Sequence, residues 1–276
     1  MTRLDYTLMT DTLFKLLFVK YPGLLQKLVS TLLGVPYTEI YEFHIKNPEI
    51  PPDQLGEKFC RLDINMVVND QRVNLEIQVT NEYDYPERIL YHWAREYSSS
   101  LPAGVDYKEL PRVIVISILD FVLFTDSAAF SSEFRALEIT RHIQLSDKIC
   151  LLFYELPKIN EEITSQDELL LWLSLFKAKT EEDLHYLEAL EVPDMTEAID
   201  AYRRVAVSPE LRELERVRDL ARHNEAAAIR NAATLAKHEA RIETAYNLIL
   251  LGYPTDSIAK ATSLSPEEVD ALRSPR

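Results

Sequence analysis

Three polar residues sit where core is otherwise expected: Asp63, Glu76 and Gln78, in RLDINMVVNDQRVNLEIQV at positions 61–79. Two carboxylates pressed together repel, and one keeps a proton unless a cation lies between them. A hard divalent ion removes that conflict. Mg2+ accepts one or two carboxylates, keeps several waters and takes up phosphate oxygens. Bound in such a place, it lowers the pKa of a water and offsets charge developing at phosphorus. The chemistry that suits these residue types is phosphodiester hydrolysis.

Counting along the stretch says whether the three can meet. Leu62, Ile64, Met66 and Val68 share one face of the first run, leaving Arg61, Asp63 and Asn65 on the other. Val73, Leu75, Ile77 and Val79 share a face of the second, opposite Asn74, Glu76 and Gln78. A turn at Asn69-Asp70 sets Asp63 opposite Glu76, and one at Asp70-Gln71 sets Asp63 opposite Gln78. Either register gathers the three polar side chains within about 5–8 Å of one another. Other registers bury a polar set, at a cost of several kcal/mol. Spacing alone leaves two readings open: a metal-binding pair, or acids on the wet face of a half-exposed hairpin.

The elements around the hairpin are legible from periodicity. TDTLFKLLFVKYPGLLQKLVSTLLG repeats apolar residues at helical spacing, is broken at Pro22-Gly23 and is capped by Gly34. Residues 39–47 alternate like a strand, and 84–101 read as a helix with Pro86 in its first turn. PRVIVISILDFVLF at 111–124 suits a strand covered on both faces. Two further strands are expected at about 134–144 and 148–156, then helices over 166–206 and 209–251. The last unit is helix, turn, helix, its second helix opened by the capping box Ser265-Pro266-Glu267-Glu268. The order predicts an α/β core with an α-helical tail.

Composition sets the limits. The chain has 276 residues, 47% of them hydrophobic, enough for a substantial core. Only Cys60 and Cys150 are present, which excludes a disulfide framework. No run approaches the roughly 18 apolar residues of a membrane span, so a cytoplasmic protein with no membrane partner is expected. The net charge of −15 is concentrated: residues 155–200 hold thirteen acids against Lys158, Lys177 and Lys179. A local basic face elsewhere is therefore still compatible with nucleic acid.

The string Asp63…Glu76-Ile77-Gln78 resembles the D…(D/E)xK active site of PD-(D/E)XK phosphodiesterases. DTLFKLLF (11–18), RLDINMVV (61–68), LEIQV (75–79), residues 87–124 and LILLGYPTDSIAKATSLSPEEVDAL (248–272) together resemble the recombination-promoting nuclease/transposase family of that superfamily. The resemblance implies a restriction-endonuclease-like core with a mixed central sheet flanked by helices. It divides the chain into a nuclease-like core at 1–160, an acidic helical extension at 161–208 and a helical C-terminal region at 209–276. It implies a divalent-metal-dependent DNA endonuclease that promotes recombination, using Mg2+, with Mn2+ or Ca2+ as alternatives. Asp63 and Glu76 would bind the metal with the Ile77 carbonyl. Gln78 occupies the place of the usual Lys and can only hydrogen-bond the attacking water.

Asp11 and Lys15 lie four apart on the first helix. They form either an ordinary acid–lysine pair or an accessory metal acid and a phosphate or water contact. On helix 84–101, Arg88, His92 and Arg95 recur on one side with Tyr91 nearby. They read as a double-stranded-DNA contact led by Arg88, Tyr91 and Arg95, or as a solvated stripe with Tyr91 and Trp93 in the core. His92 is read as incidental, and Cys60 as buried filler. The C-terminal unit carries more acids than bases, so it suits a homodimer or other homo-oligomer better than major-groove reading. The competing function is a catalytically impaired nuclease fold that binds DNA or protein, for which Gln78 is the sign. A true transposase fits less well, because no third carboxylate stands in an RNase-H-like order.

Overall fold

The computed structural model describes residues 2–47, 64–101 and 104–273. They divide into two compact units, 1–215 and 216–276.

The first unit is built on one six-stranded mixed sheet. Its strands are β1 (Phe43–Ile45), β2 (Ile64–Val68), β3 (Gln71–Gln78), β4 (Val113–Leu119), β5 (Ser131–Phe134) and β6 (Ile149–Glu155), in the order β1-β2-β3-β4-β6-β5. β3, β4 and β6 are parallel, while β1, β2 and β5 run antiparallel to their neighbours. β2 and β3 form the hairpin whose register the sequence left between two values. Ile64 pairs with Leu75 and Val68 with Gln71, as an Asn69-Asp70 turn requires. Both turn residues have positive φ, 49° and 63°, the conformation Asn and Asp tolerate best among non-glycines. Asn69 is also anchored: its Oδ1 accepts from Tyr41 N at 2.9 Å and its Nδ2 donates to Glu39 O at 2.9 Å.

Each sheet face carries its own core. On one, Ile64, Met66, Val73, Leu75, Ile77, Ile114, Ile116 and Ile118 pack with α1 (Asp11–Lys20), α2 (Pro22–Leu33), α4 (Glu168–Lys177), α5 (Glu181–Glu188) and α6 (Pro193–Ala206). The acidic segment is thus part of the main core, through Leu171, Trp172, Phe176, Leu184 and Ile199. Its charges are tied at the surface: Lys27 bonds Asp194 and Glu197 at 2.8 and 2.9 Å, and Arg203 holds Glu181 and Glu188. α1 and α2 meet at 107° and together have the length and composition of a bent apolar span, yet most of their apolar residues lie in this core. No single helix among the described residues is long and apolar enough to cross a membrane. Gly34, at φ 63°, closes α2 in the left-handed conformation.

The other face is covered by α3 (Tyr85–Ser99). Tyr85 and Ile89 pack on Val115, Leu119, Leu151 and Phe153, and the indole of Trp93 donates to Val113 O at 3.1 Å. β3 is therefore covered on both sides, which overturns the half-exposed hairpin for Glu76, buried on the α3 side, while Asn74 and Gln78 on that side are half-buried. The strand expected at about 134–144 also differs. β5 ends at Phe134, and 135–147 form an arm with one bridge, Leu137 to Gln144. Leu137, Ile139, Ile143 and Leu145 on that arm are exposed, so their alternation has no face to bury against.

In the second unit α7 (Pro209–Leu250), which begins in the first, leads to α8 (Thr255–Thr262) and α9 (Pro266–Arg273). Ala245, Ile258, Leu264 and Val269 form its core. The predicted capping box is present: Ser265 N donates to Glu268 Oε2 at 2.7 Å and Glu268 N to Ser265 Oγ at 3.2 Å.

Candidate active site

Strand parity brings Asn74, Glu76 and Gln78 to the α3 side of the sheet. Glu76 is 1% exposed, in the middle of the sheet. Its Oε1 accepts from Asn74 Nδ2 at 2.9 Å and lies 3.1 Å from His92 Nδ1. Which of the two donates in that contact follows the imidazole tautomer. The Tyr85 hydroxyl stands 3.5 Å from Oε2, at the outer limit of a hydrogen bond. On the next strand, Ser117 is the register partner of Glu76 and is fully buried.

Around this carboxylate the hydrogen bonding is incomplete. Asn74 Oδ1 and Ser117 Oγ are buried without a partner. Arg88 lays its guanidinium over the Tyr85 ring at 4.9 Å and pairs through Nη1 with Glu82. Its Nε and Nη2 are buried and unpartnered. Each such atom costs about 1–3 kcal/mol when left dry. Asn74 and Ser117 thus leave polar atoms unpaired next to Glu76, and Arg88 leaves two more beside Tyr85.

The residues named from sequence fall in different places. Glu76 and Arg88 belong to this cluster. Gln78 shares the face two positions further on, half-buried, with Nε2 donating to Thr80 O at 2.9 Å. The Ile77 side chain points to the opposite core. Tyr91, 63% exposed, is on the surface rather than in the core, and Arg95 is also exposed. Lys15 is 2% exposed on α1, whose apolar residues belong to the core across the sheet from α3, and Asp11 is half-buried at the start of that helix. Asp63 and Cys60 lie outside the described residues.

His92, incidental by its sequence context, is a hydrogen-bond neighbour of Glu76. Tyr85, Asn74 and Ser117 were not singled out at all. Two left a trace in sequence. Asn74 stands two positions before Glu76, hence on its face, and Ser117 is the one polar residue in VIVISIL. Tyr85 carried no sign that its hydroxyl would point at an acid rather than at water.

Among the described residues no group of three His, Cys, Asp or Glu is gathered for a metal. Residues 8–232 match a family model described as PD-(D/E)XK nuclease family transposase. No curated protein and no solved structure matches significantly. The match covers the whole sheet, both helical layers of the first unit and the start of α7. Mixed sheet, flanking helices and that coverage agree on a restriction-endonuclease-like α/β fold, in a family whose nucleases are hydrolases that generally use divalent metals. The chain belongs to the PD-(D/E)XK nuclease family transposases.

Proposed function

We propose that the chain is a divalent-metal-dependent DNA endonuclease whose site is the polar cluster around Glu76, and that it promotes recombination. The observation that carries this reading is a carboxylate, 1% exposed, in the centre of a family-matched sheet. The chemistry of the donors suits a hard cation: Glu76, with the unpartnered oxygens of Asn74 and Ser117 beside it, is an all-oxygen set. Asp63, directly before β2, and the Ile77 carbonyl would complete it. Mg2+, or Mn2+ or Ca2+ in its place, would supply an acidified water and charge compensation at phosphorus.

The protein's own groups have distinct roles. His92 and Asn74 hold the Glu76 carboxylate in one orientation. Gln78 orients the attacking water through a hydrogen bond. Arg88, with two buried donors to give, offsets charge on the phosphoryl oxygens and stands in for the Lys that Gln78 replaces. Lys15 and Asp11 lie on α1, across the sheet from Glu76, and take no step in this reading. Exposed Tyr91 and Arg95 would rest on the DNA backbone and fix its register without reading sequence. Self-association through the C-terminal helices would bury Leu220, Ile229 and Leu235, which α7 leaves exposed at different points around its axis.

Plasmid incubated with the chain and Mg2+ or Mn2+ is the test. Nicking should fall at least about 100-fold in Asp63→Ala and in Glu76→Gln, since each loses a metal carboxylate. Equal nicking by both variants and the parent would remove the proposal. Gln78 favours a second reading, a catalytically impaired fold that binds DNA or protein. Under that reading the parent does not nick, and Gln78→Lys restores cleavage.

A further inference from the structure

A second polar cluster lies elsewhere on the same sheet. It is at the opposite end of β3 from Gln78 and on the opposite face from Glu76, where a cavity of about 430 Å3 opens beside the end of α2. That size falls in the range of about 300–1,000 Å3 typical of small-molecule sites. Leu32, Ile114 and Leu152 supply apolar walls, and Gln71, Arg112 and Cys150 supply polar ones.

Two of these polar groups each leave one atom unsatisfied, although the Arg112 guanidinium already lies against Cys150. Gln71 Oε1 and Arg112 Nε are both buried without a hydrogen-bond partner. Gln71 is the first residue of β3, and Arg112 immediately precedes β4. Since Arg72 pairs with Val113, the parallel register places Gln71 and Arg112 side by side on one face. The pair therefore presents an acceptor next to a donor, in an apolar frame, at the end of rigid strands. Neighbouring charge is already committed: Arg135 Nε bonds Glu133 Oε1 at 2.6 Å, and Cys150 Sγ donates to the same oxygen at 3.4 Å. A ligand that pairs both orphaned atoms needs a carbonyl for Arg112 and an adjacent N–H for Gln71, which is the edge of an amide.

We propose that this cavity binds a small, largely apolar molecule through a lactam or primary carboxamide edge, its C=O accepting from Arg112 Nε and its N–H donating to Gln71 Oε1. The site is independent of the nuclease reading, because none of its residues belongs to the Glu76 cluster.

Saturation-transfer NMR on the full chain tests this with uracil as the lactam arm and benzamide as the carboxamide arm. N,N-dimethylbenzamide, which has the carbonyl and ring but no N–H, is the control. Saturable binding by one or both arms, at least about tenfold weaker in Gln71→Leu and in Arg112→Met, with the control silent, is the expected result. Which arm binds decides between the two sources of the edge. Absence of saturation by either arm, binding of the control as tight as benzamide, or binding unchanged in both variants would overturn the proposal. The control experiment is run on the parent chain, so a variant that fails to fold does not protect the idea.

Discussion

Glu76 shows what a single position can and cannot disclose. Its parity with Asn74 and Gln78 is readable because strand side chains alternate, while its register stays between two values until the Asn69-Asp70 turn is seen. Its burial was not readable, because that depends on α3 crossing the face with Tyr85 and His92, 9 and 16 residues along the chain. The same limit hid Tyr154. Within the sequence it is one more aromatic in a strand, but in the fold its hydroxyl donates to Leu32 O at 2.8 Å and burial pushes it up to about 12. An unfolded tyrosine releases its proton near 10, so the folded state binds the proton more tightly between those values. The stability Tyr154 contributes is therefore complete below pH 10 and is lost as pH rises toward 12. Urea denaturation of Tyr154→Phe should show a deficit of about 1 kcal/mol at pH 8 that shrinks at pH 11. A deficit that stays constant with pH would contradict the assignment.

At the scale of elements, regular packing was legible and irregular connections were not. α1, α2, α3 and β4 stand where apolar spacing puts them, because each buries one stripe or two faces against the sheet. The arm after β5 misled the reading, since its alternating Leu137, Ile139, Ile143 and Leu145 face no neighbour. A more consequential irregularity is the join between β6 and the segment that follows. Glu155 is completely buried there, accepting from Leu123 N and Phe124 N at 2.6 and 3.0 Å, while Lys158 Nζ bonds its other oxygen at 2.7 Å. Lys158 also donates to Phe124 O at 2.6 Å, so one ion pair ties the end of β6 to the segment at Leu123 and Phe124. Removing the cation leaves a charge without compensation in the interior. Lys158→Met should cost about 3–5 kcal/mol by chemical denaturation, whereas Lys158→Met combined with Glu155→Leu should recover much of it. A single variant as stable as the parent would show the pair to be dispensable.

For the whole molecule, net charge was a poor guide and its placement a better one. The acids of 155–200 gave no hint that their helices complete the main core, because charge reports the outer face and the inner face is carried by Trp172, Phe176 and Ile199. What the division into two sheet faces provides is separation: α1, α2 and α4 to α6 stabilise one side, while α3, with Phe121, Leu123 and Phe124, covers the other and brings His92 to Glu76. That arrangement lets a polar site sit in the middle of a sheet without disturbing the larger core. The direct test of this account is Mn2+ titration followed by electron paramagnetic resonance, on the full chain and on Glu76→Gln and Asp63→Asn. Saturable binding of Mn2+ by the parent, weakened at least about tenfold in each variant, is the expected result. Binding that is absent from the parent, or as tight in both variants, would contradict a cation site at Glu76.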